Sequence, residues 1–154
     1  MECKKVIEIL EKQSPKSYAC DWDNVGLLAG RRDKEVKKIL LALDATDEVV
    51  ERAVEGSYDM LITHHPMIFG SIKRVTDEDM VGRRLLSLIR SDISYYAMHT
   101  NFDAAPGCMA DLAAERLSLK DTEPLEAMGD MEINGNSVAY GIGKTGNLAE
   151  KLTV

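Results

Sequence analysis

The sequence has 154 residues, of which 45% are hydrophobic and 29% charged, a composition typical of a soluble globular domain. The net charge of −7 argues against a general nucleic-acid or anionic-membrane partner, and no apolar run reaches the roughly 20 residues of a membrane helix. Three scattered cysteines without a CxxC pair argue against a cysteine zinc site and a disulfide framework, which favours a reducing cytoplasm.

The N-terminal segment alternates charged and apolar residues at helical spacing and predicts a helix that ends at Ser14-Pro15. It lacks the continuous apolar stretch of a signal peptide. The next segment, "YACDWDNVGLLAG", predicts a loop with a short buried stretch. Its Asp and Asn side chains are expected to bond their own backbone, and Trp22 is expected in the core. The predicted apolar face of the N-terminal helix comprises Val6, Ile7, Ile9 and Leu10.

Three strand–helix units follow. The predicted strands are "VKKILLALDAT", which stops at Asp44, "YDMLIT" and "ISYYAMHT". The predicted helices are "TDEVVERAVEGS", capped by Thr46 and ended by Gly56, "TDEDMVGRRLLSLIRSD" and "CMADLAAERLSL". In the second helix the predicted shared face comprises Met80, Val81, Leu85, Leu88 and Ile89. The order β-α-β-α-β-α predicts a three-layer α/β fold with a mainly parallel sheet covered on both faces.

The pattern changes near Glu126. Asn134-Gly135 is a strong two-residue turn signal between strand-like segments and predicts a C-terminal antiparallel hairpin. The final "LAEKLTV" is typical of the start of a further helix or strand. The length predicts a single α/β domain over residues 1–154.

Side chains that can bind metal ions fall at the carboxyl ends of the predicted strands. Asp44 ends the first strand, His64 and His65 follow the second, and His99 ends the third with Asp103 four residues on. These are all three histidines of the chain. Ligand sites of open α/β sheets lie at this edge, and imidazole with carboxylate suits zinc, iron, manganese, nickel or cobalt. The sequence therefore predicts a divalent-metal site there, although a lone histidine is more often a hydrogen-bonded structural residue.

The roles within this site differ. Because successive side chains of an extended backbone alternate, His64 and His65 are expected to serve two neighbouring ions, with Asp103 nearby. His99 either binds metal or orients a ligand. Asp44 is expected as a turn or cap residue rather than a ligand.

Other chemistries have weaker support. Lys73-Arg74, in the loop after the histidines, is the basic pair best placed to contact an anionic substrate. "GIGKTG" is not a phosphate loop, because Val138 stands where that motif needs glycine. There is no GxSxG elbow and no cysteine placed beside a histidine, so serine or cysteine nucleophiles are not predicted.

The motifs "DWDNVGLLAG", "ILLALDAT", "ITHHPMIF", "YAMHTNFDAAPG" and "GIGKTGNL" resemble, in order and spacing, those of the GTP cyclohydrolase 1 type 2 homologue family, also called NGG-interacting-factor-three-like. The resemblance covers nearly the whole chain. It implies cytoplasmic α/β proteins that bind two divalent metals and form ring-shaped hexamers of dimers. Carried over by motif, it implies that His64, His65 and Asp103 are metal ligands and that His99 lines the same site.

The resemblance also implies ligands that this sequence lacks. Family members continue past "GIGKTGNL", and a later His and Glu complete their two-metal site, whereas this sequence ends at Val154. The sequence is therefore expected to correspond to the N-terminal part of the family, with the missing ligands lost or supplied by another chain. One weakly held ion is expected rather than two, together with self-association through an exposed apolar edge.

The sequence thus predicts a metal-dependent hydrolase acting on a small-molecule substrate that it does not name. The alternative is a non-catalytic metal-binding oligomer that works through partners. GTP cyclohydrolase activity is a weaker alternative, because nothing in the sequence selects GTP.

Overall fold

The computed structural model describes residues 1–133 and 135–148. A single turn of 3-10 helix, Lys16–Tyr18, follows the first helix. The helices are α1 Cys3–Gln13, α2 Asp47–Glu55, α3 Met80–Arg90, α4 Thr100–Ala104 and α5 Met109–Arg116. The strands are β1 Gly26–Ala29, β2 Ile39–Ala42, β3 Met60–Thr63, β4 Ser94–Ala97, β5 Lys120–Ile133 and β6 Asn136–Asn147.

The central sheet has four strands in the order β1-β4-β3-β2. Strands β2, β3 and β4 run parallel, which confirms the predicted mainly parallel sheet. Strand β1 pairs antiparallel with β4 at the other edge. The sequence did not predict β1 as a strand, because the apolar run between Gly26 and Gly30, both of which have positive φ, is only three residues long.

Helices cover both faces of this sheet, as the apolar strands predicted. Alternate residues of β3 enter different cores: Met60 and Ile62 pack on the α1 side, and Leu61 packs on the side of α2 and α3. The adjacent tyrosines of β4 divide in the same way, Tyr96 toward α1 and Tyr95 toward α2 and α3. These are the three layers expected from the alternation of strands and helices.

The helix boundaries follow the sequence signals, but the buried faces are narrower than predicted. The Thr46 hydroxyl accepts a hydrogen bond from the Val49 N–H at 3.3 Å and caps α2, as expected. In α3 the buried residues are Gly82, Leu85 and Leu88, whereas Met80 and Ile89 are exposed. In α1, Ile9 is exposed. Ile89 and Ile9 lie about 100° and 200° around the helix from Leu88 and Ile7, which turns them away from the sheet.

A long antiparallel hairpin, β5–β6, follows α5. It starts at Lys120, earlier than the sequence indicated, and pairs from Lys120↔Asn147 to Ile133↔Asn136. The hairpin prediction is therefore confirmed, although Asn134 of its turn lies outside the described residues. So do residues 149–154 of the predicted final element, "LAEKLTV". Tyr140 of β6 stacks on Tyr18 with ring centroids 4.1 Å apart, which joins the hairpin to the N-terminal part of the chain.

None of the helices in the described ranges combines the length and the apolar composition needed to cross a membrane.

Candidate metal centre

The three histidines of the chain meet at the carboxyl edge of the parallel strands. His64 and His65 directly follow β3, and His99 lies two residues after β4. One potential ligand atom from each side chain lies within 4.8 Å of those of the other two, an arrangement that could hold a metal ion. The structure thus places the three histidines at one edge of the sheet, as the sequence predicted.

The histidine pair does not diverge as the alternation argument expected. The rings of His64 and His65 lie with centroids 5.0 Å apart. Strand β3 ends at Thr63, so the pair lies beyond the extended segment to which alternation applies. The alternation argument for two neighbouring ions therefore does not apply to this pair, and the number of ions stays a prediction.

The segment that carries the pair is fixed by a buried tyrosine. The Tyr95 hydroxyl accepts the Met67 N–H at 2.7 Å and lies 2.9 Å from the Thr63 hydroxyl oxygen. Thr63 in turn donates to the His65 carbonyl at 2.7 Å. Tyr95 thus links β4 to both ends of the turn that presents the histidines.

Carboxylates hold two of the three imidazole rings. Asp44 Oδ1 lies 2.8 Å from Nδ1 of His65, and Asp23 Oδ1 lies 3.0 Å from Nδ1 of His99. Because a carboxylate accepts, Nδ1 of each ring carries the proton, and in the neutral ring Nε2 then holds the lone pair that a metal binds. This carboxylate–histidine pairing is common among metal-ligating histidines.

The structure therefore changes the expected roles of three residues. Asp44, expected as a turn or cap residue, orients His65. His99, which the sequence left open between ligand and orienting residue, belongs to the histidine cluster and is itself oriented by Asp23. Nothing in the spacing pointed to Asp23, which lies 76 positions before its partner. Asp44 had a detectable signal, since it lies two residues after β2, the parallel strand next to the one that precedes the histidines.

Asp23 lies in an almost closed environment, and its side chain is fully buried. Burial by itself raises its pKa, but hydrogen bonds from the Thr100 hydroxyl and backbone, from His99 and from the Asn24 N–H outweigh that effect. The pKa of Asp23 is therefore lowered, and the carboxylate is ionised at neutral pH. The predicted Asp–backbone bond to Asn24 is present, with a length of 2.8 Å, beside the unpredicted contact with His99.

The third imidazole has a different environment. Nε2 of His64 lies 3.6 Å from Oδ1 of Asp103, while its Nδ1 is buried and has no hydrogen-bond partner among the described residues. A buried, unpaired ring nitrogen is costly in free energy. Such a nitrogen within a cluster of imidazoles fits a site that binds a cation. Asp103 lies beside this cluster without belonging to the mutually close set.

The basic pair predicted to contact an anion lies on the loop after the histidines. Lys73 and Arg74 are exposed and, with Phe69, line a cavity of about 350 Å³. The Asn24 side-chain amide donates to the Ile68 carbonyl at 2.7 Å, which ties the start of this loop to the Asp23 segment.

An aromatic pair, Trp22 and Phe69, lies at the edge of the histidine cluster. The two rings stack with centroids 5.9 Å apart and planes inclined by 28°. The His99 ring meets both edgewise, at 6.1 Å from Trp22 and 6.2 Å from Phe69. The prediction that Trp22 belongs to the core is wrong, because 60% of it is exposed.

Comparison with known proteins identifies the family. A model of the Duf34/NIF3 (NGG1p interacting factor 3) family matches residues 1–154, the whole sequence. The chain belongs to the DUF34/NIF3 family. This agrees with the resemblance that its motifs carry.

Two curated relatives share between a third and two fifths of their aligned residues with this chain. The GTP cyclohydrolase 1 type 2 homolog of Bacillus subtilis is 39% identical over 122 residues, which cover 79% of this chain and 33% of the relative. The protein of the same name from Clostridium perfringens is 35% identical over 159 residues, which cover 100% of this chain and 56% of the relative. The chain thus spans between 33% and 56% of the length of these curated relatives.

Solved structures similar to this chain confirm the α/β fold. A Bacillus cereus protein related to NIF3 superposes with a TM-score of 0.79 at 37% identity, covering 84% of this chain and 36% of that protein. Reduced HcgD from Methanocaldococcus jannaschii gives a TM-score of 0.76 at 35% identity, covering 82% of this chain and 50% of HcgD.

Proposed function

We propose that this DUF34/NIF3 protein binds a divalent metal ion through His64, His65 and His99, with Asp103 beside them. The observation that supports this most is the approach of the three imidazoles, whose potential ligand atoms all lie within 4.8 Å of one another. The carboxylates on His65 and His99 add support, because they leave the Nε2 lone pairs for a ligand. Zinc, iron, manganese, nickel and cobalt all accept such a donor set.

Metal content of the purified protein tests this proposal. Mass spectrometry of protein dialysed against each metal should find bound ion in the wild type and little in His64→Ala, His65→Ala or His99→Ala. Asp103→Ala should weaken binding less, because its carboxylate lies outside the closest set. Glu115→Gln, an exposed carboxylate on α5, is the control and should bind as the wild type does. Equal metal content in the triple histidine variant and the wild type would refute the proposal.

We further propose that the metal serves hydrolysis of a small anionic molecule. When bound, divalent ions of this kind polarise phosphoryl and carbonyl oxygens and lower the pKa of water. In this chain, Asp44 and Asp23 would hold the ligand imidazoles in place, and Lys73 and Arg74 would attract the negative charge of the substrate. A hydrolase screen with manganese, iron, zinc and cobalt is the test. Turnover that depends on metal and is lost in His65→Ala would support the hydrolase over a non-catalytic role.

A non-catalytic, self-associating metal-binding protein is the alternative. The exposed edge strand β2 supports self-association, because Leu41 is 71% exposed and Leu43, just after the strand, is also exposed. Apolar edge strands of this kind pair readily with other chains. Absence of turnover in the screen, together with a metal-bound oligomer, would favour this alternative.

A further inference from the structure

The aromatic pair, Trp22 and Phe69, exposes a large apolar surface to solvent beside the histidine cluster. Trp22 is 60% exposed and Phe69 is 57% exposed, although both lie about 6 Å from the ring of His99. Large aromatic side chains contribute most to the free energy of folding or binding when they are buried. Their flat faces favour stacking on other rings. Because the two rings already stack on each other, their outward surfaces are the ones available to a ligand.

Phe69 also lines the cavity that contains the side chains of Lys73 and Arg74. The volume of this cavity, about 350 Å³, is within the range of small-molecule sites. The cavity also contains one carboxylate, Asp79, which accepts the Gly82 N–H at 2.8 Å at the start of α3. Phe69 is thus adjacent to the candidate metal centre on one side and to two cationic side chains on the other.

We infer that the aromatic pair selects the substrate: the ligand of this site carries a flat aromatic ring that stacks on Trp22 and Phe69 and an anionic group that enters the cavity of Lys73 and Arg74. This inference rests on the proposed function, because it assigns a substrate class to the same site. A ring stacked on the pair lies beside His99, and therefore beside the histidine cluster. Stacking tolerates different rings, so the pair selects planarity and the basic residues select charge.

AMP and flavin mononucleotide are suitable probes, because they combine unrelated flat rings with a phosphate. Trp22 is the only tryptophan of the chain, so stacking on it is read directly as quenching of its fluorescence. We expect saturable quenching by both compounds in metal-loaded protein. Calorimetry should show that adenosine, which lacks the anion, and ribose 5-phosphate, which lacks the ring, each bind more weakly than AMP.

Variants separate stacking from general apolar contact. Trp22→Leu and Phe69→Leu remove one ring while keeping an apolar side chain, and each should weaken AMP binding about 5- to 150-fold by calorimetry. Trp22→Phe retains a ring and should recover most of the affinity. Leu117→Ala, at another exposed apolar residue, should have no effect. Metal content should equal that of the wild type in all four variants.

Two results would overturn the inference: no saturable quenching by either probe, or AMP binding as tight in both leucine variants as in the wild type. Separate measurement of metal content distinguishes this failure from failure of the proposed function. Protein that holds metal but shows either result refutes the stacking inference alone. Protein that holds no metal yet binds AMP through Trp22 supports the stacking inference and refutes the metal proposal.

Discussion

Asp44 shows how a single residue can act on the candidate site through another side chain. Its carboxylate contacts Nδ1 of His65 at 2.8 Å, and both side chains are about half exposed. The contact sets which nitrogen of His65 carries the proton and restricts rotation of the ring. Asp44 is therefore a positioning residue, whose effect on metal binding comes from the orientation of His65.

Replacing Asp44 should weaken metal binding without removing it. We expect Asp44→Ala to lower metal affinity about 10- to 100-fold, the usual effect of losing a carboxylate that orients a ligating histidine. Asp44→Asn should lose less, because its amide oxygen still accepts from Nδ1. Competition with a chelating dye measures both, and Glu115→Ala is the control. Unchanged affinity in Asp44→Ala would show that the contact does not orient the ring.

At the scale of elements, the adjacent tyrosines of β4 offer a matched comparison. Both are fully buried, but the Tyr95 hydroxyl contacts the Met67 N–H and the Thr63 hydroxyl, whereas the Tyr96 hydroxyl makes one long hydrogen bond of 3.4 Å to Glu11. Removal of the Tyr95 hydroxyl leaves the partly buried Met67 N–H without its acceptor, in the segment that carries the histidines.

Tyr95→Phe should therefore affect both stability and metal binding. We expect a loss of about 1–3 kcal/mol in the free energy of unfolding, since a partly buried donor loses its acceptor, and a weaker metal affinity. Tyr96→Phe should cost less and leave metal affinity unchanged, because its hydroxyl lies on the α1 side. Urea unfolding and dye competition measure the two effects. Equal losses of metal affinity in both variants would contradict the role given to Tyr95.

Asp59 joins the starts of two parallel strands. Its Oδ2 accepts the N–H groups of Lys37 at 2.7 Å and Lys38 at 2.8 Å, just before β2. Burial acts to raise its pKa, but these backbone hydrogen bonds and the nearby charges of Lys34 and Lys37 lower it overall. A lowered pKa in the folded state means that the carboxylate stabilises the fold at neutral pH.

The stabilisation by Asp59 should depend on pH. The stabilisation by Asp59 is fully present above its unfolded pKa of about 3.9 and is lost as pH falls through the lower folded value. Asp59→Ala should cost about 1–3 kcal/mol near neutral pH, with a smaller difference from wild type in acid. Asp59→Asn keeps an acceptor without the charge, so its free energy of unfolding should lie between those of the wild type and Asp59→Ala. Urea unfolding at several pH values measures these free energies. A difference between the wild type and Asp59→Ala that stays constant from neutral pH to acid would contradict the stabilising role of the Asp59 charge.

Sequence and structure agree where periodicity determines the outcome. The parallel strands β2, β3 and β4 and the cap at Thr46 follow from apolar runs and capping chemistry, and the strand ends bring the histidines to one edge. Contacts between residues far apart in the sequence could not be predicted from periodicity. The contact of Asp23 with His99, the exposure of Trp22 and the strand character of β1 all depend on which distant segments meet.

At the scale of the whole molecule, the β2 edge should control association. Replacing Leu41 and Leu43 together by lysine places charge on the exposed edge and should shift any oligomer toward monomer. Light scattering after gel filtration measures the mass. Ile9→Lys, an exposed apolar residue on α1, is the control and should leave the mass unchanged. Identical masses for the wild type and the double variant would exclude this edge as an interface.

The carboxylate–imidazole pairs join residues that are 21 and 76 positions apart along the chain. An ion held by those rings would therefore join segments that lie apart when the chain is unfolded, and its binding energy would add to the stability of the native state. At a free metal concentration of about 100 times the Kd this amounts to about 2.7 kcal/mol. The melting temperature should accordingly rise with metal in the wild type and remain constant in His64→Ala, so that a thermal melt alone can rank the candidate ions by affinity.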